Sequence, residues 1–159
     1  MKAADVQLRP VRPRDVPLFY AHHLETRPLP EGASPDEVDA GRTEFIERWG
    51  RMLRDDDVLA RTILWNGSIA GYVAHFVQLE APAIAYWLGR DFRGRGIATQ
   101  ALLNFLPLVS ERPLYARIAA DNHASRRVLE KAGFAVVGEG TFFSNWHQRE
   151  IAEIVFTLA

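Results

Sequence analysis

The feature that most constrains this chain is a glycine-containing turn between an apolar run and a helical pattern. The apolar run occupies residues 84–88, the turn occupies residues 93–96, and the helical pattern begins near Ile97. The first turn of a helix has backbone N–H groups without intrahelical partners, and the helix dipole places about half a positive charge there. Because glycine has no Cβ to keep a ligand away from these amides, the pattern predicts a diphosphate-binding site.

The spacing of the turn excludes two common phosphate motifs. No Gly-Lys-Ser/Thr follows the glycines, so the turn is not a P-loop. No G-x-G-x-x-G occurs, so it is not a dinucleotide fingerprint either. Taken alone, the six residues from Arg93 to Ala98 leave open an ordinary surface turn rich in Arg and Gly.

A second segment favours the ligand-binding interpretation. Residues 121–134 read DNHASRRVLEKAGF and follow a predicted strand at 114–119. Together with Arg93-x-x-Gly96-x-Ala98, this segment resembles the two cofactor motifs of the GNAT N-acetyltransferase superfamily. The run Tyr86-Trp87-Leu88 is most similar to the branch named for ribosomal-protein N-terminal acetyltransferases. The resemblance is specific over about residues 69–134 and looser at both ends.

The resemblance implies a fold and an activity. The fold is α/β (α+β), a mixed and mostly antiparallel sheet of about six or seven strands flanked by four helices, with splayed central strands. The activity is transfer of an acetyl group from acetyl-CoA to a primary amine, of a protein N-terminus or a small molecule, by direct attack in a ternary complex. The alternative is a non-catalytic module that binds or senses acyl-CoA. O-acetylation and a longer acyl donor also stay open.

The resemblance also assigns residues to the cofactor. Residues of the turn and the start of its helix would hold the pyrophosphate; these are Arg93, Gly94, Arg95, Gly96, Ile97, Ala98 and Thr99. Backbone groups of Tyr86, Trp87 and Leu88 would pair with the pantetheine arm, and the Leu88 N–H would polarise the thioester carbonyl. Core packing is the alternative role for the two aromatic side chains.

Further contacts are implied in the second segment. Asn122 would bond the pantetheine, or cap the helix that follows, or both. Ser125 would lie close to the cofactor and is a candidate for the chemistry, with an ordinary first-turn serine as the alternative. Arg126 and Arg127 would reach the 3′-phosphate of the nucleotide or lie on a solvated face.

Two departures from the family pattern concern proton transfer. Leu129 occupies the position of the tyrosine that many members use as an acid. Where branch members place a glutamate base, this chain has Ala83 and Ile84, and the upstream Glu80 is a possible base. His75, His147 or a chain of waters are further candidates. Without a strong base an α-amine is favoured, because deprotonation at pH 7 costs it about 1.1 kcal/mol, against about 4.6 kcal/mol for a lysine.

Composition limits the remaining possibilities. The 159 residues predict one domain spanning 1–159. Cysteine is absent, which excludes a thiol nucleophile, and the five histidines lack metal-ligand spacing, so no metal is expected. A net charge of −1 argues against binding nucleic acid or an anionic membrane. The first seven residues lack the apolar core of a signal peptide. We expect a cytoplasmic monomer or homodimer whose acceptor the sequence does not specify.

Local patterns predict the remaining elements. Asp15 is expected to cap a first helix and Ser34 a second one, and the acidic run 55–57 ends the latter. Asn66-Gly67 predicts a hairpin between strands at 62–65 and 68–77. A loop is expected at 79–82 and a helix over 97–109, with Pro107 kinking its last turn. Strands at 135–138 and 149–158 would close the sheet, joined by residues 141–147.

Overall fold

In a computed structural model, residues 5–26, 35–144 and 149–159 form one mixed α/β unit. The seven strands are β1 (Val6–Pro10), β2 (Leu59–Trp65), β3 (Ser68–Gln78), β4 (Ala81–Leu88), β5 (Leu114–Ala119), β6 (Ala135–Ser144) and β7 (Arg149–Leu158). The four helices are α1 (Val16–Thr26), α2 (Pro35–Arg54), α3 (Ile97–Phe105) and α4 (His123–Lys131). The helix cap predicted at Ser34 and the candidate base His147 lie outside the described residues.

The strands form one sheet in the order β1-β2-β3-β4-β5-β7-β6. Every neighbouring pair is antiparallel except β4 and β5, which run parallel. This pair is in register only at Ala83 opposite Tyr115, although both strands continue beyond that point. The predicted fold class is therefore confirmed, and β4 and β5 separate toward Leu88.

Side chains alternate between two cores because a strand directs successive residues to opposite faces. On one face, α3 and α4 pack over Ile84 and Leu88 of β4 and over residues of β5 and β7. On the other face, α1 and α2 pack over Ala60 and Ala74 with the aromatic residues Phe19, Phe45 and Trp49. The gap between β4 and β5 thus lies between two helical layers.

Turn chemistry explains both hairpins of the central sheet. Asn66 and Gly67 have φ of 51° and 82°, the backbone of the predicted Asn-Gly turn, and this prediction is confirmed. The next connection is shorter than the predicted loop 79–82. Gln78 pairs with Ala81, so only Leu79 and Glu80 form the turn, with φ of 51° and 64°. The sequence did not reveal it because neither residue is glycine or asparagine.

Other boundaries differ from the predictions for physical reasons. The helix predicted over 97–109 ends at Phe105, and Pro107 lies in a short 3₁₀ turn that its missing N–H favours. Strand β6 continues to Ser144 because residues 139–144 pair with β7, so 141–144 are not a loop. No helix among residues 5–26, 35–144 and 149–159 is long and apolar enough to span a membrane.

Asp15 has a different role from the predicted helix cap. It ends a 3₁₀ turn before α1 and is completely buried. Its carboxylate accepts hydrogen bonds from the Arg9 guanidinium at 2.6 and 2.9 Å, from the Thr62 hydroxyl at 2.7 Å, and from the Arg12 amide at 2.9 Å. The prediction of a cap is wrong, because the carboxylate instead joins β1, β2 and the start of α1.

Candidate functional site

The turn before α3 has the geometry of an anion site. Gly94 and Gly96 have φ of 73° and 78°, in the left-handed region that favours glycine. Gly96 precedes the helix without a side-chain cap, and its carbonyl accepts from the Gln100 amide at 3.1 Å. The first-turn amides of Ile97, Ala98 and Thr99 therefore receive no side-chain cap from the residue at the helix start.

The space around Gly94 is open. A Cβ built on Gly94 would meet no other atom within 4 Å, among the residues that the structure describes. Only the backbone conformation requires glycine at this position. The same absence of a side chain leaves the approach to the following amides open, as an anion site at a helix start requires.

The two arginines of the turn are directed along the protein surface. Arg93 Nε donates to the Leu88 carbonyl at 3.2 Å, and its guanidinium lies 5.2 Å from the centre of the Trp87 ring. Arg95 Nε donates to the Asp91 carbonyl at 3.1 Å, and its guanidinium lies 5.1 Å from the Trp65 ring. These contacts fix the turn between two aromatic side chains and keep positive charge beside it.

Backbone alternation decides which groups of β4 face the gap. The Gly89 amide donates to the Ala70 carbonyl at 2.9 Å, in the register that pairs Trp87 with Tyr72. Hydrogen-bonded and non-bonded pairs alternate in an antiparallel ladder. The backbone groups of Trp87 are therefore directed to β3, whereas those of Tyr86 and Leu88 are directed to the gap. This favours Tyr86 and Leu88 over Trp87 as backbone partners for a ligand there.

Gly71 holds β3 close to this part of β4. It lies opposite Leu88, and a Cβ at this position would be 1.9 Å from the Trp87 carbonyl oxygen. We expect Gly71→Ala to lower the free energy of unfolding by about 3 kcal/mol, because the strands must separate to relieve the overlap. Urea unfolding measures this loss. Gly138→Ala is the control, since its Cβ would meet nothing within 4 Å; equal losses in both variants would contradict the account.

Helix α4 brings Asn122 and Ser125 to the other side of the gap. Asn122 Oδ1 accepts from the Ser125 amide at 3.2 Å, which confirms its capping role. The buried Tyr86 hydroxyl lies near the side chain of Ser125. Burial raises the pKa of Tyr86, and nearby Ser125 and Arg93 only partly offset it, so the phenol is neutral at physiological pH.

Helix α1 contributes two histidines that the sequence did not indicate as site residues. His23 stacks on the Trp87 ring at 4.1 Å between centroids, and its Nε2 lies 2.9 Å from the Tyr72 hydroxyl. His22 is 6% exposed and packs against Gly89, where an added Cβ would be 2.7 Å from its Cδ2. Burial is the main cause that lowers the pKa of His22, which keeps its ring neutral at pH 7.

The remaining candidates for proton transfer do not converge at Leu88. Glu80 is exposed in the turn at the opposite end of β4, eight residues and thus about 26 Å of extended strand away. His75 is buried on the face of α3 and α4, with Nε2 3.7 Å from Glu111 Oε2. Leu129 is 1% exposed in the core. Within the described ranges, no three His, Asp or Glu side chains are grouped to hold a metal.

Known proteins match both the sequence and this geometry. A family model described as an acetyltransferase (GNAT) domain matches residues 5–135. YdaF of Bacillus subtilis (strain 168), whose name assigns it provisionally to the ribosomal N-acetyltransferases, is 28% identical over 124 residues. That match covers 72% of this chain and 68% of YdaF.

Solved structures share the fold over nearly the whole chain. Mycobacterium smegmatis RimJ, in complex with CoA-disulfide, is 25% identical with a TM-score of 0.72, covering 98% of this chain and 83% of RimJ. The microcin C7 self-immunity acetyltransferase MccE, in complex with acetyl-CoA and AMP, is 18% identical with a TM-score of 0.75, covering 98% and 93%. The turn at α3, the separated strands and the match over 5–135 together show that this chain belongs to the GNAT family of acetyltransferases.

Proposed function

We propose that this N-acetyltransferase transfers the acetyl group of acetyl-CoA to a primary amine by direct attack in a ternary complex. The observation that carries the proposal is the helix start at Gly96, which has no side-chain cap and adjoins the gap between β4 and β5. Amides of the turn and of the first turn of α3 would hold the pyrophosphate. Acetyl-CoA supplies the activated thioester, and RimJ and MccE carry related ligands on the same fold.

The gap-facing backbone of β4 would orient the pantetheine arm as an added strand does. An arm entering from the turn at residues 93–96 meets Leu88 first and Tyr86 next. The Leu88 N–H is the proposed donor to the thioester oxygen, where negative charge develops, and Tyr86 offers a second gap-facing amide. A donor in such a role contributes about 2.7–4 kcal/mol to lowering the barrier. Asn122 and Ser125 would bound the arm on the side of α4.

Positioning has a larger part in this proposal than acid–base catalysis. Leu129 cannot donate a proton, and Glu80 is at the far end of β4. The proposal is that the amine arrives neutral or loses its proton to solvent, which favours a weakly basic α-amine. Holding amine and thioester in contact replaces a bimolecular encounter, and this effect alone can supply about 7 kcal/mol or more.

Two measurements test the proposal. Isothermal titration with acetyl-CoA is expected to show saturable binding, and a CoA-release assay over a panel of amines and peptides is expected to show turnover above the hydrolysis blank. No heat at millimolar ligand with folded protein would reject the cofactor. Binding without turnover over the whole panel would favour the non-catalytic acyl-CoA sensor instead.

The position of Glu80 makes its own prediction. We expect Glu80→Gln to keep kcat within about twofold of the parent, because this carboxylate is exposed and remote from Leu88. The pH dependence of kcat is expected to stay the same as well, and initial rates from pH 6 to 9 measure both. A loss of tenfold or more that grows at low pH would instead identify Glu80 as the base.

A further inference from the structure

A small cavity lies where β4 and β5 come together, on the face opposite α3 and α4. Its volume is about 140 Å³. Its walls come from β3, the turn between β3 and β4, and strands β4, β5 and β7. The lining residues are Gln78, Leu79, Ala81, Ala83, Tyr115, Arg117 and Val155. Water occupies about 30 Å³ per molecule in the liquid, so the cavity has room for about four or five heavy atoms.

The cavity lies at the closed end of the gap that would hold the thioester. Ala83 and Tyr115 form the single registered pair of β4 and β5, and both line the cavity. Two residues further along each parallel strand, Arg117 lies across the gap from the exposed Ala85, the neighbour of Tyr86. An acceptor amine that reaches the gap from this face would therefore have the rest of its molecule beside Arg117.

Arg117 is the charged residue that lines this cavity, and some of its N–H donors are not used by the described residues. Its Nη1 donates to Glu153 Oε1 at 2.8 Å, and the structure gives its other N–H groups no hydrogen bond to any described residue. The Arg117 side chain is 31% exposed, whereas that of Glu153 is 10% exposed. A guanidinium has five donors in a planar fork that suits a carboxylate, so the accessible partner at this site is the cation rather than the anion.

We infer that this cavity is the acceptor subsite for a carboxylate, and that the acceptor is a primary amine carrying a carboxylate that Arg117 binds. The inference rests on the proposed function and adds the class of acceptor. A carboxymethyl group has four heavy atoms and matches the volume. Glu153 would keep the guanidinium oriented toward the cavity while lowering the net charge of the pair to zero.

The experiment compares matched acceptors at saturating acetyl-CoA. Glycine, β-alanine and γ-aminobutyrate are each assayed against their amides, which lack the negative charge, and kcat/KM is expressed per neutral amine because the amides are also less basic. We expect kcat/KM to favour at least one acid over its amide by about 10- to 100-fold, the range for a hydrogen-bonded charge. Spermidine serves as the cationic competitor and is expected to be the poorer substrate.

Variants separate recognition from structure because they act in opposite directions. Glu153→Gln frees the guanidinium of Arg117 and is expected to increase the preference for the acid. The double variant Arg117→Gln/Glu153→Gln removes the guanidinium without leaving a buried charge unpaired, and it is expected to abolish the preference. Arg14→Gln, an exposed arginine elsewhere, is the matched control. Titration with acetyl-CoA should give the same affinity throughout.

The possible outcomes distinguish the inference from the function. Turnover of amines without preference for the acid, or a preference that survives in the double variant, overturns the inference alone. A preference for spermidine overturns it in favour of a cation site at Glu153. Absence of turnover with every amine, although acetyl-CoA binds, overturns the proposed function and the inference together.

Discussion

Gly94→Ala is expected to raise the Kd for acetyl-CoA by about 10- to 100-fold, the value of one or two lost hydrogen bonds to a charged group. A Cβ at this position meets no atom of the described protein within 4 Å, so the protein itself can hold it. The methyl group would instead occupy the space that the proposed pyrophosphate needs above the amides of α3. Isothermal titration measures the affinity, and urea unfolding measures the accompanying strain.

The hairpin glycine supplies a matched control. Gly67 has φ of 82° against 73° for Gly94, and its added Cβ would likewise meet nothing within 4 Å. Both alanine variants are therefore expected to lose about 1–2 kcal/mol of stability from left-handed backbone strain. Only Gly94→Ala should lose affinity. Equal affinities in the two variants would show that the turn does not contact the cofactor.

Local chemistry made several turns and caps of this fold predictable. The Asn66-Gly67 hairpin and the Asn122 cap each depend on a few neighbouring residues, and each forms as predicted. The family motifs rest on the same short segments. Elements of this kind can be predicted because their geometry is determined within one turn of chain.

Features that depend on the register between distant strands could not be predicted from the sequence. The direction of the Leu88 amide depends on pairing with Gly71, and the cavity beside Arg117 depends on one parallel contact between Ala83 and Tyr115. The contact of His23 with Trp87 joins α1 to β4 across 64 positions of the chain. A pattern within one segment contains no information about such pairings.

Asp15 shows how the same limit affects stability. Its position before α1 is typical of a cap, yet its partners Arg9 and Thr62 lie on strands β1 and β2. Burial alone would raise the pKa of this carboxyl. The hydrogen bonds from Arg9, the Arg12 amide and Thr62 outweigh it and lower the pKa from 3.8 to about 2. The carboxylate is therefore ionised throughout the physiological range.

Asp15→Asn is expected to lower the free energy of unfolding at pH 7 by about 3 kcal/mol. The asparagine amide keeps the shape of the carboxylate but has no charge. Its N–H groups would face the N–H and O–H donors of Arg9, Arg12 and Thr62, which need an acceptor. Breaking a buried charged pair costs about 3–5 kcal/mol. The lower end applies because the Arg9 side chain is 19% exposed and can regain water. Urea unfolding of both proteins measures the difference, with the exposed Asp56→Asn as control for the change in charge.

The pH dependence gives the sharper test of the same contact. A carboxyl whose pKa is lower in the folded state stabilises the protein fully above its unfolded pKa, and this contribution is lost as the pH falls from about 4 to about 2. The difference between the parent and Asp15→Asn should therefore be constant from pH 7 to 5 and shrink by about 1 kcal/mol at pH 3. A difference that stays constant down to pH 3 would mean that shape, rather than charge, is what Asp15 contributes.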